Sequence, residues 1–324
     1  MKAIVQEKYG NPDVLHYKEV EKPKPKENEI LIKIYSSSVT AAHCAMRKGK
    51  PIFGRLVIGL TKPKFSIPGT DLAGEIVEVG KDVNKFKVGD QIIAATDAGG
   101  GCYAEYISLS EYDVIIAKPN NMNFDEAAAI IEGATTALSF LRDSAKITIG
   151  KKILINGASG SIGTAAVQLA KYFGAEVTAV CSSNNIDLVK SIGADYTIDY
   201  TKENFNNDKK KYDIIFDTVG KLTFKESKNS LTQNGIFLSP VLRISILLQM
   251  LISSKFSKRK VIFSATGLRK PNQKIKDLIF LKELIENNKL VTVLDKKYKL
   301  EETTKAHEYV EKGHKRGNVV LAIA

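Results

Sequence analysis

The sequence predicts a mixed α/β protein in which an antiparallel β domain accompanies a doubly wound domain built on a parallel sheet. Three observations carry that expectation. Up to about Asn121, apolar and polar residues alternate with period two in runs such as Glu29–Tyr35, Gly74–Val79 and Asp90–Ala94, parted by Pro, Gly and Lys-rich turns. After Pro119 the texture becomes Ala-rich and helical, and strands then alternate with helices, the mark of βαβ units. From Val291 a β texture returns, so the C-terminus is expected to complete the first domain. The 324 residues suit two domains at about 150 residues each. The division reads as 1–121 with 290–324 for the β domain and 122–289 for the parallel-sheet domain.

In order along the second half, helices are expected at Asp125–Glu132 and Thr136–Ser144, then strand Lys152–Asn156 and helix Ser161–Phe173. Strand Glu176–Val180, helix Asn185–Ile192 and strands Asp213–Asp217, Gly235–Ser239 and Val261–Ala265 follow. A long helix Gln273–Asn288, a helix Glu301–Glu311 with a capping start and a last strand Asn318–Ile323 close the chain. The mostly apolar strands Ile153–Ile155 and Ile214–Phe216 suit a sheet covered on both faces. Asn206–Lys211 reads as a solvated polar loop.

Hydrophobic residues are 44% and charged residues 26%, which excludes disordered, collagen-like and coiled-coil chains. The net charge of +12 would draw phosphates, nucleotides, nucleic acid or anionic lipid, without choosing among them. Cys44, Cys102 and Cys181 lie far apart with no CxxC pair, which argues against a disulfide framework and a structural zinc site, and for a reducing compartment. MKAIVQEKYG has no targeting character, and no apolar run reaches the roughly 18 residues that span a bilayer, so a cytoplasmic location is expected.

The strongest chemical signal is an apolar strand, Lys152–Asn156, that runs into Gly157-Ala-Ser159-Gly160-Ser161-Ile162-Gly163 and then opens a helix. Gly157 allows the tight turn, Gly160 lets backbone approach a pyrophosphate, and Gly163 lets helix and strand pack closely. The helix N-terminus adds N–H groups and a positive dipole end. About 20 residues on, where an NAD enzyme carries Asp or Glu for the ribose 2′-hydroxyl, the chain has Ser182 and Ser183. Two hydroxyls and no acid favour NADPH over NADH, although no cation stands among residues 181–185.

These residues resemble the zinc-independent medium-chain dehydrogenases/reductases, in the quinone oxidoreductase and alkenal/enone reductase branch. The resemblance rests on Pro68-Gly-Thr-Asp71 through Gly80, Phe86-Lys-Val-Gly-Asp-Gln91, Gly100-Gly-Cys-Tyr-Ala-Glu-Tyr106, Gly133-Ala-Thr-Thr136, Gly157–Gly163, Gly193-Ala-Asp195, Asp217-Thr-Val-Gly220 and Gly313–Val320. It implies a GroES-like β domain formed by both chain ends, a Rossmann domain between them and a cofactor in the cleft. It also implies that Thr136 contacts the nicotinamide end, that Val219 and Gly220 flank the nicotinamide ribose, and that Tyr200 lies near the adenosine 2′-phosphate. Zinc-dependent relatives have Gly-His-Glu at Gly69-Thr70-Asp71 and a cysteine at Thr40, so no metal ligands are expected. His43 then reads as a satisfied structural or cleft-lining histidine. The subgroup's Asn near Thr40, Asp near His43 and cation near Asn184 or Asn185 are absent here.

With no metal, the chemistry is expected from the cofactor: hydride transfer to a quinone or to the C=C bond of an α,β-unsaturated carbonyl. Thr40 and Tyr103 are the candidate catalytic residues, Thr40 shaping the substrate site and Tyr103 supplying a proton to the developing oxyanion. Two rival functions use other features. RNA binding would exploit the +12 charge, but no basic stretch is interleaved with aromatics. Peripheral membrane attachment would use Leu242–Lys260, which reads more simply as a helix that packs over the cofactor cleft and leads into the edge strand Val261–Ala265. That edge strand resembles the one through which family members pair, so a homodimer is expected.

Overall fold

The computed structural model describes residues 1–96, 99–205 and 210–324, so the first four residues of the polar loop at 206–211 lie outside the described residues. The elements run β1 (Lys2–Val5), β2 (His16–Glu19), β3 (Glu29–Val39), α1 (Ala41–Lys48), α2 (Arg55–Ile58), β4 (Asp71–Val79), β5 (Gln91–Ala95), β6 (Tyr106–Ser110) and β7 (Val114–Ala117). Then come α3 (Phe124–Leu138), β8 (Lys152–Asn156), α4 (Ser161–Tyr172), β9 (Glu176–Cys181), α5 (Ile186–Ser191), β10 (Tyr196–Asp199) and β11 (Tyr212–Asp217). The chain ends with α6 (Phe224–Ser227), β12 (Leu231–Ser239), α7 (Ile244–Phe256), β13 (Lys260–Phe263), α8 (Pro271–Glu286), β14 (Leu294–Lys299), α9 (Thr303–Glu311) and β15 (Asn318–Ala322). Contacts gather these into two units, Met1–Glu132 with Gly267–Asn287 and Thr292–Ala324, and Gly133–Thr266 with Asn288–Val291.

The first unit is built on a seven-stranded sheet in the order β14-β15-β3-β4-β5-β7, with β6 also paired to β3, beside the two-stranded sheet β1-β2. Apart from the parallel pair β14-β15, the pairings are antiparallel. Ile30, Ile32 and Ile34 on β3 pack with Leu72, Ile76 and Ile92 in one core, the burial their period-two spacing foretells. One edge of β3 serves two partners, Glu29–Lys33 for β6 and Ser36–Val39 for β15.

The second unit carries a six-stranded, all-parallel sheet in the order β10-β9-β8-β11-β12-β13. Numbered within the unit this is 3-2-1-4-5-6, the doubly wound order, and strand order reverses between β8 and β11. Ile153, Leu154 and Ile155 are all fully buried, as expected when both faces of a sheet are covered.

Several elements differ from the expectation. The helices placed at Asp125–Glu132 and Thr136–Ser144 are one helix, α3, ending in a π-helical turn at Ser139–Ser144. Gly133 does not break it; a Cβ there would lie 2.5 Å from Ser161 Oγ, so the glycine serves close packing. β10 and α1 are additions. The second is fixed at its ends by a Thr40 capping box and by Gly49 at φ +61°. α7 forms within Leu242–Lys260, buries Ile246 in the sheet core and packs near β13, while Leu248, Leu251 and Ile252 stay exposed. Among the described residues no helix is long and apolar enough to cross a membrane. Cys44, Cys102 and Cys181 are buried and unpaired with one another.

Candidate active site

The glycine turn leaves the carboxyl end of β8 at the reversal of strand order, where open α/β sheets bind ligands. Gly157 sits at φ +75°, and a Cβ on it would come within 2.1 Å of Val219 Cγ2. A Cβ on Gly163 would meet the Gly157 carbonyl oxygen at 2.1 Å, so this glycine is required by packing between turn and helix. Gly160 differs: the nearest atom to its Cβ position is 3.4 Å away, and it is the N-cap of α4 with no side chain capping the helix. A Cβ there would make only ordinary contact with the Gly157 carbonyl oxygen, so packing alone does not demand glycine at this position. An uncapped helix start beside a cradle kept open by glycine fits a dinucleotide pyrophosphate. Ser161 and Ile162, half-buried, form the first turn of that helix.

The end of β9 is tied to the same turn. Asn185 Nδ2 donates to Ser159 Oγ at 3.0 Å and to Ser182 Oγ at 3.2 Å, so this amide stands where relatives were expected to carry a cation. The sequence reading placed no acid here, and the structure corrects that. β10 runs parallel to β9 with Asp199 opposite Cys181, and Ser183 Oγ donates to Asp199 Oδ2 in a very short bond. Thr201 donates to Asp199 Oδ1 through its N–H at 3.0 Å and its hydroxyl at 2.6 Å. These bonds, Ser183 foremost, hold the Asp199 carboxyl down at about 2, so it is ionised at any ordinary pH. Tyr200 follows with its ring half-exposed and its N–H on the Cys181 carbonyl at 3.1 Å.

Across the reversal, Asp217 ends β11 fully buried. Its carboxylate accepts from Asn156 Nδ2 at 2.9 Å and from the N–H groups of Val219 (3.3 Å), Gly220 (3.1 Å) and Leu222 (2.9 Å). The anion thus shapes the turn that presents Val219, which is exposed, against Gly157. Gly220 takes φ +74°. Thr136 is buried on α3 with its hydroxyl 3.2 Å from that of Thr266. Asp217 and Asn156 were named only as parts of motifs; a strand-ending acid before Thr-Val-Gly was the available signal.

In the first unit, Thr40, His43 and Tyr103 come together. Thr40 Oγ1 accepts from the His43 N–H at 3.2 Å, and the Thr40 N–H reaches His43 Nδ1 at 3.4 Å. Tyr103 is fully buried; its single hydroxyl proton is shared between the Ser38 carbonyl and His43 Nδ1, both 3.0 Å away. With Nδ1 accepting, Nε2 carries the proton and donates to Thr70 Oγ1 at 2.7 Å, which in turn is 3.5 Å from Asp71 Oδ1. Burial pulls His43 below the usual histidine range and pushes Tyr103 well above the usual tyrosine range, so both are neutral. Tyr103 is thus enclosed, with the His43 imidazole beside its hydroxyl. Thr40 is in the first place a helix cap. His43 also lines a small cleft with Met46, Arg47, Ile58, Phe65 and Ile67.

The expectation of no metal ligands needs amending. His43, Asp71 and Glu132 each bring a ligand atom to within 4.8 Å of the others, and three protein ligands are what a catalytic zinc takes. The donor set fits zinc poorly as it stands, because both imidazole nitrogens already have partners and Asp71 Oδ2 accepts from Ser38 Oγ at 2.9 Å.

Comparison with known proteins matches this architecture. Residues 26–120 fit the alcohol dehydrogenase GroES-like domain family, and residues 192–321 the zinc-binding dehydrogenase family. The chain is 33% identical to the chloroplastic quinone-oxidoreductase homolog of Spinacia oleracea, covering 99% of this chain and 98% of that one. It is 32% identical to the 2-methylene-furan-3-one reductase of Solanum lycopersicum, over 99% of this chain and 79% of the relative. It is 31% identical to the mitochondrial NAD(P)H oxidoreductase RTN4IP1 of Danio rerio, over 100% and 91%. Among solved structures, the quinone oxidoreductase from Coxiella burnetii superposes with a TM-score of 0.88 at 30% identity, over 100% and 99% of the chains.

A GroES-like unit with a Rossmann unit and this glycine turn define an oxidoreductase that uses a nicotinamide cofactor. The chain belongs to the medium-chain dehydrogenase/reductase superfamily, in its quinone oxidoreductase and alkenal/one oxidoreductase branch.

Proposed function

We propose that the protein is an NADPH-dependent reductase of quinones or of the C=C bond of α,β-unsaturated carbonyls, working without zinc. The observation that carries this is the uncapped start of α4 at the point where strand order reverses, with Gly160 placing no side chain over it. When bound, the cofactor supplies hydride from C4 of its nicotinamide. Gly157, Ser159, Gly160, Ser161, Ile162 and Gly163 would hold the pyrophosphate on backbone N–H groups. Ser182, Ser183 and Tyr200 would meet the adenosine ribose end, while Thr136, Val219 and Gly220 would orient the nicotinamide end. Asp199, ionised and bonded to Ser183, keeps the preference for the 2′-phosphate modest. In the other unit, neutral His43 holds its Nε2 proton on Thr70 and could release it toward a developing enolate or quinol oxygen, with Tyr103 fixing the ring.

The names of relatives support the substrate class, one a quinone-oxidoreductase homolog and another a reductase of a methylene-furanone. A homodimer through the free edge of β13 and a cytoplasmic location, where the three buried thiols stay reduced, complete the reading. Titration with NADPH and with NADH, followed by nicotinamide fluorescence, tests the cofactor; turnover of a panel of quinones, alkenals and enones tests the chemistry. Failure to bind either cofactor, or to turn over any member of the panel, overturns the proposal. Dialysis against a chelator is expected to leave turnover unchanged, and recovery of lost turnover on adding zinc would put the metal back at His43, Asp71 and Glu132.

A further inference from the structure

The segment Lys50–Phe65 of the first unit shows water a run of large apolar side chains. Ile52, Phe53, Leu56, Val57, Leu60 and Phe65 are exposed, from 44% at Phe53 to 77% at Leu56. A 3₁₀ turn at Ile52–Gly54 leads directly into α2, so Ile52 and Leu56, and Phe53 and Val57, stand one helical turn apart on neighbouring stripes. Single exposed apolar residues are ordinary; a contiguous group of this kind marks an interaction surface. Charge accompanies it. Lys50, Arg55, Lys62 and Lys64 belong to the same segment, and no Asp or Glu occurs anywhere from Ile30 to Thr70.

The combination selects among occupants. A nucleic acid would use the cations but leave Leu56 and Leu60 without a role. A second copy meeting the same face across a two-fold axis would bring like charges together. An anionic bilayer uses both, the headgroup phosphates meeting lysines and the acyl boundary receiving the apolar side chains. We propose that this face docks the protein on anionic lipid surfaces, with Ile52, Leu56 and Leu60 entering the headgroup layer.

The chain contains no Trp, so a Leu56→Trp variant reads this position alone. The 324-residue protein is expected to sediment with mixed phosphatidylcholine–phosphatidylglycerol vesicles, to stay free with phosphatidylcholine alone, and to be released by high salt. The Leu56→Trp emission should shift to the blue on the anionic vesicles, whereas that of Ile149→Trp, exposed in the second unit, should not. Lys50→Gln with Lys62→Gln should weaken binding by about fivefold per cation, and Leu56→Ser with Leu60→Ser by roughly tenfold or more per side chain. Unchanged thermal melting of these exposed-site variants shows that they are folded. The proposal is overturned if the protein ignores anionic vesicles. It is equally overturned if Leu248→Trp on α7 shifts while Leu56→Trp stays silent, or if the Leu56/Leu60 variant loses only self-association. None of these readouts needs turnover, so the docking face and the reductase reading fail or stand separately.

Discussion

The carboxylate of Asp199 fixes what Ser183 can do. Once its hydroxyl proton is given to Asp199, Ser183 offers an incoming phosphate no donor, and the carboxylate itself adds a like charge beside it. Asp199→Asn is therefore expected to raise NADPH affinity by roughly tenfold while leaving NADH nearly unchanged. Parallel fluorescence titrations check it, and an equal gain for both cofactors would show that charge is not the reason. The residue was hidden in the sequence because a strand pairing, β10 on β9, brings it to Ser183 from sixteen positions away. A second residue-scale device is Arg47, fully enclosed on α1 and closely paired with Glu311, which Lys48 also meets at 3.0 Å. Glu311→Gln strands a buried guanidinium and should cost about 3–5 kcal/mol in urea unfolding, since breaking one side of a buried pair leaves the other charge uncompensated. A loss below about 1 kcal/mol would mean that Lys48 and solvent suffice.

Among the elements, the strand–turn–helix β8–Gly157–α4 was legible almost in full. Apolar residues on both faces, glycines three apart and an Ala-rich helix all point to one geometry. What spacing alone could not separate is which glycine serves the fold and which serves the ligand. The distances separate them: Gly163→Ala meets backbone at 2.1 Å and should destabilise by about 1–3 kcal/mol, as overpacking does. Gly160→Ala, with 3.4 Å of clearance, should melt within about 0.5 kcal/mol of the parent yet bind NADPH much more weakly. Equal melting losses in the two variants would remove the argument that Gly160 is kept for a ligand. α1 was less legible because its signals, a Thr cap and a terminal glycine, sit inside a half of the chain dominated by strands. Its role is to set the His43 imidazole against Tyr103 and Thr70, a juxtaposition across 60 residues that no local pattern carries.

For the whole molecule, the alternation of strand and helix announced a parallel sheet, and the return of β texture announced that the last residues rejoin the first. The order 3-2-1-4-5-6 was not legible from local spacing, because strand order depends on crossovers rather than on any strand's own residues. Two units with separate cores should unfold in more than one step. At a concentration of about 100 times its Kd, NADPH stabilises whatever binds it by about 2.7 kcal/mol. Scanning calorimetry is expected to show the transition of the glycine-turn unit moving upward while the other holds its place. Movement of both together would mean that they melt as one cooperative body.

The edge of β3 has a bearing on how the chain comes off the ribosome. Its Ser36–Val39 half is covered by Val319–Ala322, so these hydrogen-bonding groups wait for residues made about 280 positions later. All six strands of the parallel sheet, by contrast, are complete once Phe263 has emerged. The nascent protein can therefore assemble its parallel sheet first, while an unpaired strand of the other unit remains open to stray partners.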